Sequence, residues 1–156
     1  MLLFTRKVTL CVGHYKKSQG YKMKALNLSE WSVNRLFIES LARALKNNKY
    51  DVHTVLDLNL IRKVKRINEV NMDIAIDLHC NAYNGEVSGH EVLYWHESRP
   101  GGLLADCICG TINLNINRKA VPIINQPGTY FLKNTKPVAI ILESCFLDNN
   151  LDALTI

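Results

Sequence analysis

The sequence predicts a single-domain α/β protein with a mostly parallel sheet. Three short apolar runs, at residues 7–13, 74–76 and 138–142, lack the polar alternation of strands with one face in water. Such runs are typical of strands buried on both faces. Segments of helical periodicity separate them, and strands that alternate with helices favour a parallel sheet. A length of 156 residues matches one domain with a proper core.

The first half of the chain alternates strands and helices. Ser29 precedes apolar residues at helical spacing, so it is predicted to cap an amphipathic helix that has Glu30 in its first turn. The second helix is expected to bury Leu60 and Ile61 among its inner residues. The predicted elements are a strand at 7–13, a helix at 30–47, a strand at 50–56, a helix at 58–71 and a strand ending at residue 79.

The second half continues the pattern less regularly. Residues 90–96 alternate like a strand, and the sequence Pro100-Gly101-Gly102 is predicted to break it. Residues 103–116 predict a third helix, apolar almost all round and therefore well buried. Residues 116–133 are predicted to be irregular, with a short hairpin. The last buried strand, at 138–142, is followed at once by Glu143.

Composition and charge limit the kind of protein. Hydrophobic residues make up 47% of the chain, and its apolar runs are too short to span a membrane, so we expect no membrane partner. Five cysteines without a C-x-x-C pair indicate reduced, mostly buried thiols. The N-terminus lacks the order and length of a secretory signal, which predicts synthesis and retention in the cytoplasm. The net charge of +5 favours solubility or an anionic target, either nucleic acid or an acidic cell surface.

Polar side chains able to bind metal or move a proton follow three separate buried strands. These residues are His14, His79 and Glu143, and Glu30 at the start of the first helix can reach the same edge. The carboxyl ends of parallel strands meet at one edge of a sheet, where catalytic groups collect. Two histidines and a carboxylate, with one position left for water, make a catalytic zinc site. A further carboxylate that is not a ligand would serve as general base.

Four segments of the chain carry a resemblance to a known family. The segments CVGHYKKSQGY, SEWSVNRLF, IDLHCNAYNG and ILESCFLDN resemble, in order and spacing, the zinc-dependent N-acetylmuramoyl-L-alanine amidases of the amidase-3 type. That family includes bacterial cell-wall amidases and phage endolysins. The resemblance implies that His14, Glu30 and His79 are zinc ligands and that Glu143 is the catalytic carboxylate. It also implies a mixed, mostly parallel sheet with helices on both faces.

The reaction implied by the resemblance is hydrolysis of the amide between N-acetylmuramic acid and L-alanine in peptidoglycan. The chain departs from the family pattern at several positions. Asp77 stands where a small hydroxyl residue is common. After His14 the family usually has a glycine-rich loop that contains an aspartate, whereas this chain has Tyr15, Lys16 and Lys17. Asp77 is either a partner that orients His79 or a structural residue, since metal-bound imidazoles usually have such a partner.

Several expectations concern the whole protein. We expect residues 1–156 to form one catalytic domain without a separate wall-binding domain, acting as a phage-type lysin released to the bacterial wall at lysis. Two alternatives remain open from the residues alone: a zinc peptidase of related fold, and a basic nucleic-acid-binding domain with a structural metal. The basic cluster at Arg62, Lys63, Lys65 and Arg66 is interpreted as a solvated helix face, because no nucleic-acid motif accompanies it, and we expect no nucleic-acid partner.

Overall fold

A computed structural model describes residues 6–23, 26–116, 122–125 and 128–154 of the chain. Its elements, in chain order, are β1 (Lys7–Val12), β2 (Lys22–Met23), β3 (Leu28–Ser29), α1 (Glu30–Asn47), β4 (Asp51–Val55), α2 (Leu60–Glu69), β5 (Ile74–Asn81), β6 (Glu91–Trp95), α3 (Arg99–Ile116), β7 (Pro122–Asn125), α4 (Tyr130–Asn134), β8 (Val138–Phe146) and α5 (Asn150–Ala153).

Six of the strands form one mixed sheet in the order β4-β1-β5-β8-β6-β7. The pairs β4–β1, β1–β5, β5–β8 and β6–β7 are parallel, and β6 runs antiparallel to β8. Strands β1, β5 and β8 are therefore parallel neighbours at the centre of the sheet. This arrangement confirms the predicted α/β class and brings the ends of the three apolar strands to a common edge.

The two faces of the sheet are covered by different helices. On one face, alternate β1 residues such as Leu10 pack with Ile38 of α1 and Ala105 of α3. On the other face, Cys11 packs with Ile67 of α2 and Phe131 of α4. Successive side chains of a strand point to opposite faces, so both faces of a central strand need apolar residues. The helices on both faces confirm the predicted layering.

The first turn of α1 is fixed by a capping box. Ser32 N donates to Ser29 Oγ at 3.2 Å, and Ser29 N donates to Ser32 Oγ at 2.9 Å, which satisfies two donors at the helix start. The predicted cap at Ser29 and the predicted bounds of α1 are both confirmed. The cap also places Glu30, the first helical residue, at the edge of the sheet.

Three local predictions are wrong. Helix α3 begins at Arg99, because proline is tolerated in the first turn, where its missing N–H has no helical partner. This helix is also not buried on all sides as predicted. Ala105 is fully buried, whereas Leu103 and Leu114 are 59% and 88% exposed. In α2, the predicted inner residues Leu60 and Ile61 are exposed.

The segment between α3 and β8 also differs from the prediction. Its described residues contain no hairpin but form β7, which runs parallel to β6, and the short helix α4. A parallel neighbour needs a crossover, and α3 supplies it. Residues 117–121 and 126–127 lie outside the described ranges. Within those ranges, no helix is long and apolar enough to cross a membrane.

Candidate active site and metal centre

The carboxyl edge of the central strands carries the predicted site residues. His14 follows β1, His79 lies near the end of β5, and Glu143 lies opposite His79 in the register of β5 with β8. Glu30 approaches the same edge from the start of α1. The structure therefore brings together four side chains that are widely separated along the chain.

The turn after β1 has the backbone strain typical of functional sites. His14 has a φ of 64°, which is uncommon for a residue other than glycine. Beside it, a Cβ added to Gly13 would lie 2.6 Å from atoms of the His79 ring, so only glycine lets the two strands approach this closely. The backbone thus turns His14 towards the edge of the sheet where His79 lies.

Glu30 holds both imidazoles. Its Oε2 lies 3.0 Å from His14 Nε2, and its Oε1 lies 2.9 Å from His79 Nδ1. The Cys80 N–H also donates to Oε1 at 3.2 Å, and the Tyr21 N–H donates to Oε2 at 3.4 Å. With 4% of its surface exposed, Glu30 is rigidly placed.

The charges at this cluster are strongly coupled. Burial opposes ionisation of Glu30, but hydrogen bonds from His14 and His79 outweigh it and lower the pKa of Glu30 to about 2. Burial likewise disfavours the charged form of His79, but hydrogen bonds to Asp77 and Glu30 outweigh it and raise the pKa of His79 to about 10. Glu30 is therefore negatively charged and lies between the two imidazoles. Its charge favours a cation at this position.

The cluster has the chemistry of a metal centre. One ligand atom from each of His14, Glu30 and His79 lies within 4.8 Å of the others. Ligands at about 2.0–2.1 Å from a tetrahedral zinc ion lie about 3.3 Å apart, so these atoms need only small movements to bind one ion. The side chains of His14 and His79 are 32% and 21% exposed, which leaves the group open to water and substrate.

Glu143 differs from the other three residues because its buried oxygen is unpaired. Its Oε2 has no hydrogen-bond partner within the described part of the chain. Burial raises the pKa of Glu143 to about 7, and the neighbouring carboxylates of Glu30 and Glu91 add to the effect, while His79 opposes it. A carboxyl group that titrates near neutrality can both accept and donate a proton.

The interpretation of Lys63 as part of a solvated face is wrong. Lys63 is buried and donates to both oxygens of Asp77, which in turn contacts His79. Helical spacing contained the signal, since Lys63 precedes Val64 and lies four positions before Ile67, both of which are buried. His90 is also buried and is not part of the three-residue cluster.

Comparison with known proteins identifies the family. The family model for N-acetylmuramoyl-L-alanine amidase, Amidase_3, matches residues 8–156. The chain belongs to this amidase family. It is therefore a peptidoglycan amidase, and the resemblance noted in the four sequence segments is confirmed. No curated protein sequence matches the chain.

Solved structures of other amidases share this fold. The catalytic domain of the CD27L endolysin, which targets Clostridia difficile, is 27% identical with a TM-score of 0.81, over 97% of this chain and 87% of that one. An N-acetylmuramoyl-L-alanine amidase from Clostridium difficile 630 is 21% identical with a TM-score of 0.86, over 96% and 84% of the two chains. The amidase AmiC2 of Nostoc punctiforme is 22% identical with a TM-score of 0.84, over the same shares.

Proposed function

We propose that this amidase is zinc-dependent, that His14, Glu30 and His79 hold one Zn²⁺ ion, and that Glu143 is the catalytic acid–base residue. The single observation that carries the proposal is the group of three ligand atoms within 4.8 Å of one another at the edge of the central strands. Two imidazoles and one carboxylate are the ligands of many catalytic zinc sites, which keep a further position open.

The reaction needs proton transfers, and we assign them to Glu143. Zinc, when bound, supplies Lewis-acid activation of a water molecule and of the amide carbonyl. Glu143 takes a proton from the attacking water and passes it to the nitrogen of L-alanine, which is a poor leaving group without that proton. Burial, which disfavours the charged carboxylate and raises the pKa of Glu143, favours its return of the proton after taking it. Because Glu143 lies within a long central strand, its position is set by a rigid element.

We further propose that the chain acts as a phage-type lysin. The similarity to the catalytic domain of the CD27L endolysin supports this proposal. The net charge of +5 would favour association with an anionic wall. A lysin must degrade bacterial walls when it is added to them, so purified protein should clear a wall suspension, and an unchanged turbidity would contradict the proposal.

Elemental analysis and wall digestion on one preparation test the zinc proposal. We expect one zinc per chain, loss of turnover after chelation and recovery when zinc is returned. Turnover that survives complete removal of metal would contradict the proposed zinc dependence and leave the family assignment unaffected.

A further inference from the structure

A buried lysine–aspartate pair lies next to the metal centre. Lys63 of α2 and Asp77 of β5 are 3% and 1% exposed. Lys63 Nζ donates to Asp77 Oδ1 at 2.8 Å and to Asp77 Oδ2 at 2.9 Å. Taking two charges out of water is costly, and replacing such a pair by apolar residues is often neutral or stabilising. Stability alone therefore does not account for this pair.

Asp77 contacts the nitrogen of His79 that is not bound to Glu30. Asp77 Oδ2 lies 3.4 Å from His79 Nε2, whereas His79 Nδ1 lies 2.9 Å from Glu30 Oε1. Asp77 and His79 are two positions apart on β5, so their side chains leave the same face of the strand. With a carboxylate oxygen near each nitrogen, the imidazole is held in one orientation. A cation that displaces the Nδ1 proton would then bind at Nδ1, while the proton on Nε2 stays beside Asp77.

Lys63 fixes Asp77 in turn. Its ammonium group contacts both carboxylate oxygens, which holds the carboxylate in one orientation. Lys63 itself is set by helix α2, whose neighbouring residues Val64 and Ile67 are buried in the core. Across the sheet, the register partner of Asp77 on β1 is the fully buried Cys11. The pair thus lies in a water-excluded environment, where its electrostatic interactions are strong.

We propose that Lys63 and Asp77 are positioning residues for His79. Asp77 accepts the Nε2–H of His79, and Lys63 holds Asp77, so that Nδ1 stays directed at the metal centre. This inference rests on the proposed function, because it takes His79 as a metal ligand through Nδ1. Carboxylate partners of metal-bound histidines typically contribute 10- to 100-fold to metal affinity or activity.

The test removes the two charges together. The double variant Lys63→Met/Asp77→Ser avoids a lone buried charge and introduces a small hydroxyl at position 77. Lys65→Met is the matched control, since Lys65 is an exposed cation on the same helix. We would measure zinc affinity by competition with a chromogenic chelator, the visible spectrum of the Co²⁺-substituted protein, kcat and KM at saturating zinc, and the melting temperature without metal.

Positioning and structural roles give different results. The inference predicts that the double variant binds zinc about 10- to 100-fold more weakly, with an altered Co²⁺ spectrum, a lower kcat and an unchanged KM. The Lys65→Met control should match the wild type. Wild-type zinc affinity and Co²⁺ spectrum in the double variant would overturn the inference, even if its melting temperature changes.

The experiment also separates this inference from the proposed function. A wild-type protein that binds no zinc refutes the proposed function and the inference together. A wild-type protein with one zinc and a double variant of equal affinity refutes only the inference. If the serine-containing variant does not fold, Lys63→Met/Asp77→Leu replaces it, because leucine fills the space with apolar atoms, and the same results support or overturn the inference.

Discussion

The change Glu143→Gln separates the three roles that a carboxylate at this position can have. Glutamine keeps the shape of the side chain and cannot transfer the proton. We expect the variant to retain zinc and to lose about 10²- to 10⁴-fold in turnover, the usual contribution of general acid–base catalysis. Loss of zinc would instead make Glu143 a ligand, and near-normal turnover would remove it from the reaction.

The raised pKa of Glu143 adds a second, independent expectation for the metal-free protein. Burial moves this pKa from 4.5 to about 7. The folded state therefore holds the proton more tightly than the unfolded state, so the stability contribution of Glu143 is present below pH 4.5 and is lost as pH rises through 7. The full difference corresponds to roughly 3 kcal/mol, of which most is lost between pH 5 and pH 8.5.

Glutamine does not ionise, so Glu143→Gln does not lose this stability as the pH rises. In the metal-free state, the melting temperature of Glu143→Gln minus that of the wild type should therefore increase from pH 5 to pH 8.5. The expected increase is about 5–10 °C for a chain of this size. Glu86→Gln is the control, because Glu86 is exposed, and its melting curve should follow the wild type at both pH values. A difference between Glu143→Gln and wild type that does not change with pH would refute the argument from burial.

Three further predictions concern the metal centre and the wall. His79→Ala should lose the zinc, whereas His53→Ala, in edge strand β4, should keep it; full zinc occupancy in His79→Ala by elemental analysis would remove His79 from the site. Gly20→Ala should weaken zinc binding and turnover at least tenfold. Gly20 has a φ of 70°, and an added Cβ would lie 2.7 Å from His14 Cδ2 and clash with Glu30. The control Gly110→Ala, with open space around the added Cβ, should be neutral or stabilising. Wall lysis should slow as salt rises, because exposed charges are screened over about 10 Å at 0.1 M, and equal lysis rates at low and high salt would count against attraction by the basic charge.

Sequence reasoning succeeded where a pattern is local. The apolar runs of β1, β5 and β8 identify strands buried on both faces, and Ser29 marks the start of α1 because its cap depends on residues within one turn. The proximity of His14, His79 and Glu143 could be predicted because each follows or ends a predicted parallel strand, and the carboxyl ends of parallel strands share one edge of the sheet. The position of Glu30 alone does not predict a ligand, because a carboxylate in a first helical turn is usually explained by the helix dipole. Only the other site residues identify it as one.

Features that depend on distant partners were missed. Lys63 lies in a run of basic residues, and only the fold shows that Asp77, fourteen positions away, neutralises it inside the protein. The antiparallel direction of β6 depends on the path of residues 82–90 after β5, and the parallel pairing of β7 depends on the crossover by α3. No local pattern determines either path. The early start of α3 was missed because Pro100-Gly101-Gly102 favours a turn in isolation, whereas a first helical turn also tolerates proline.

Mass analysis of products from purified peptidoglycan tests the central claim most directly. An amidase that uses this site should release stem peptides with a free L-alanine amino group and leave intact lactyl groups on the glycan. These products should disappear on chelation and return with zinc. New amino groups elsewhere in the stem peptide, new reducing sugar ends, or the same products after complete removal of metal would contradict the account.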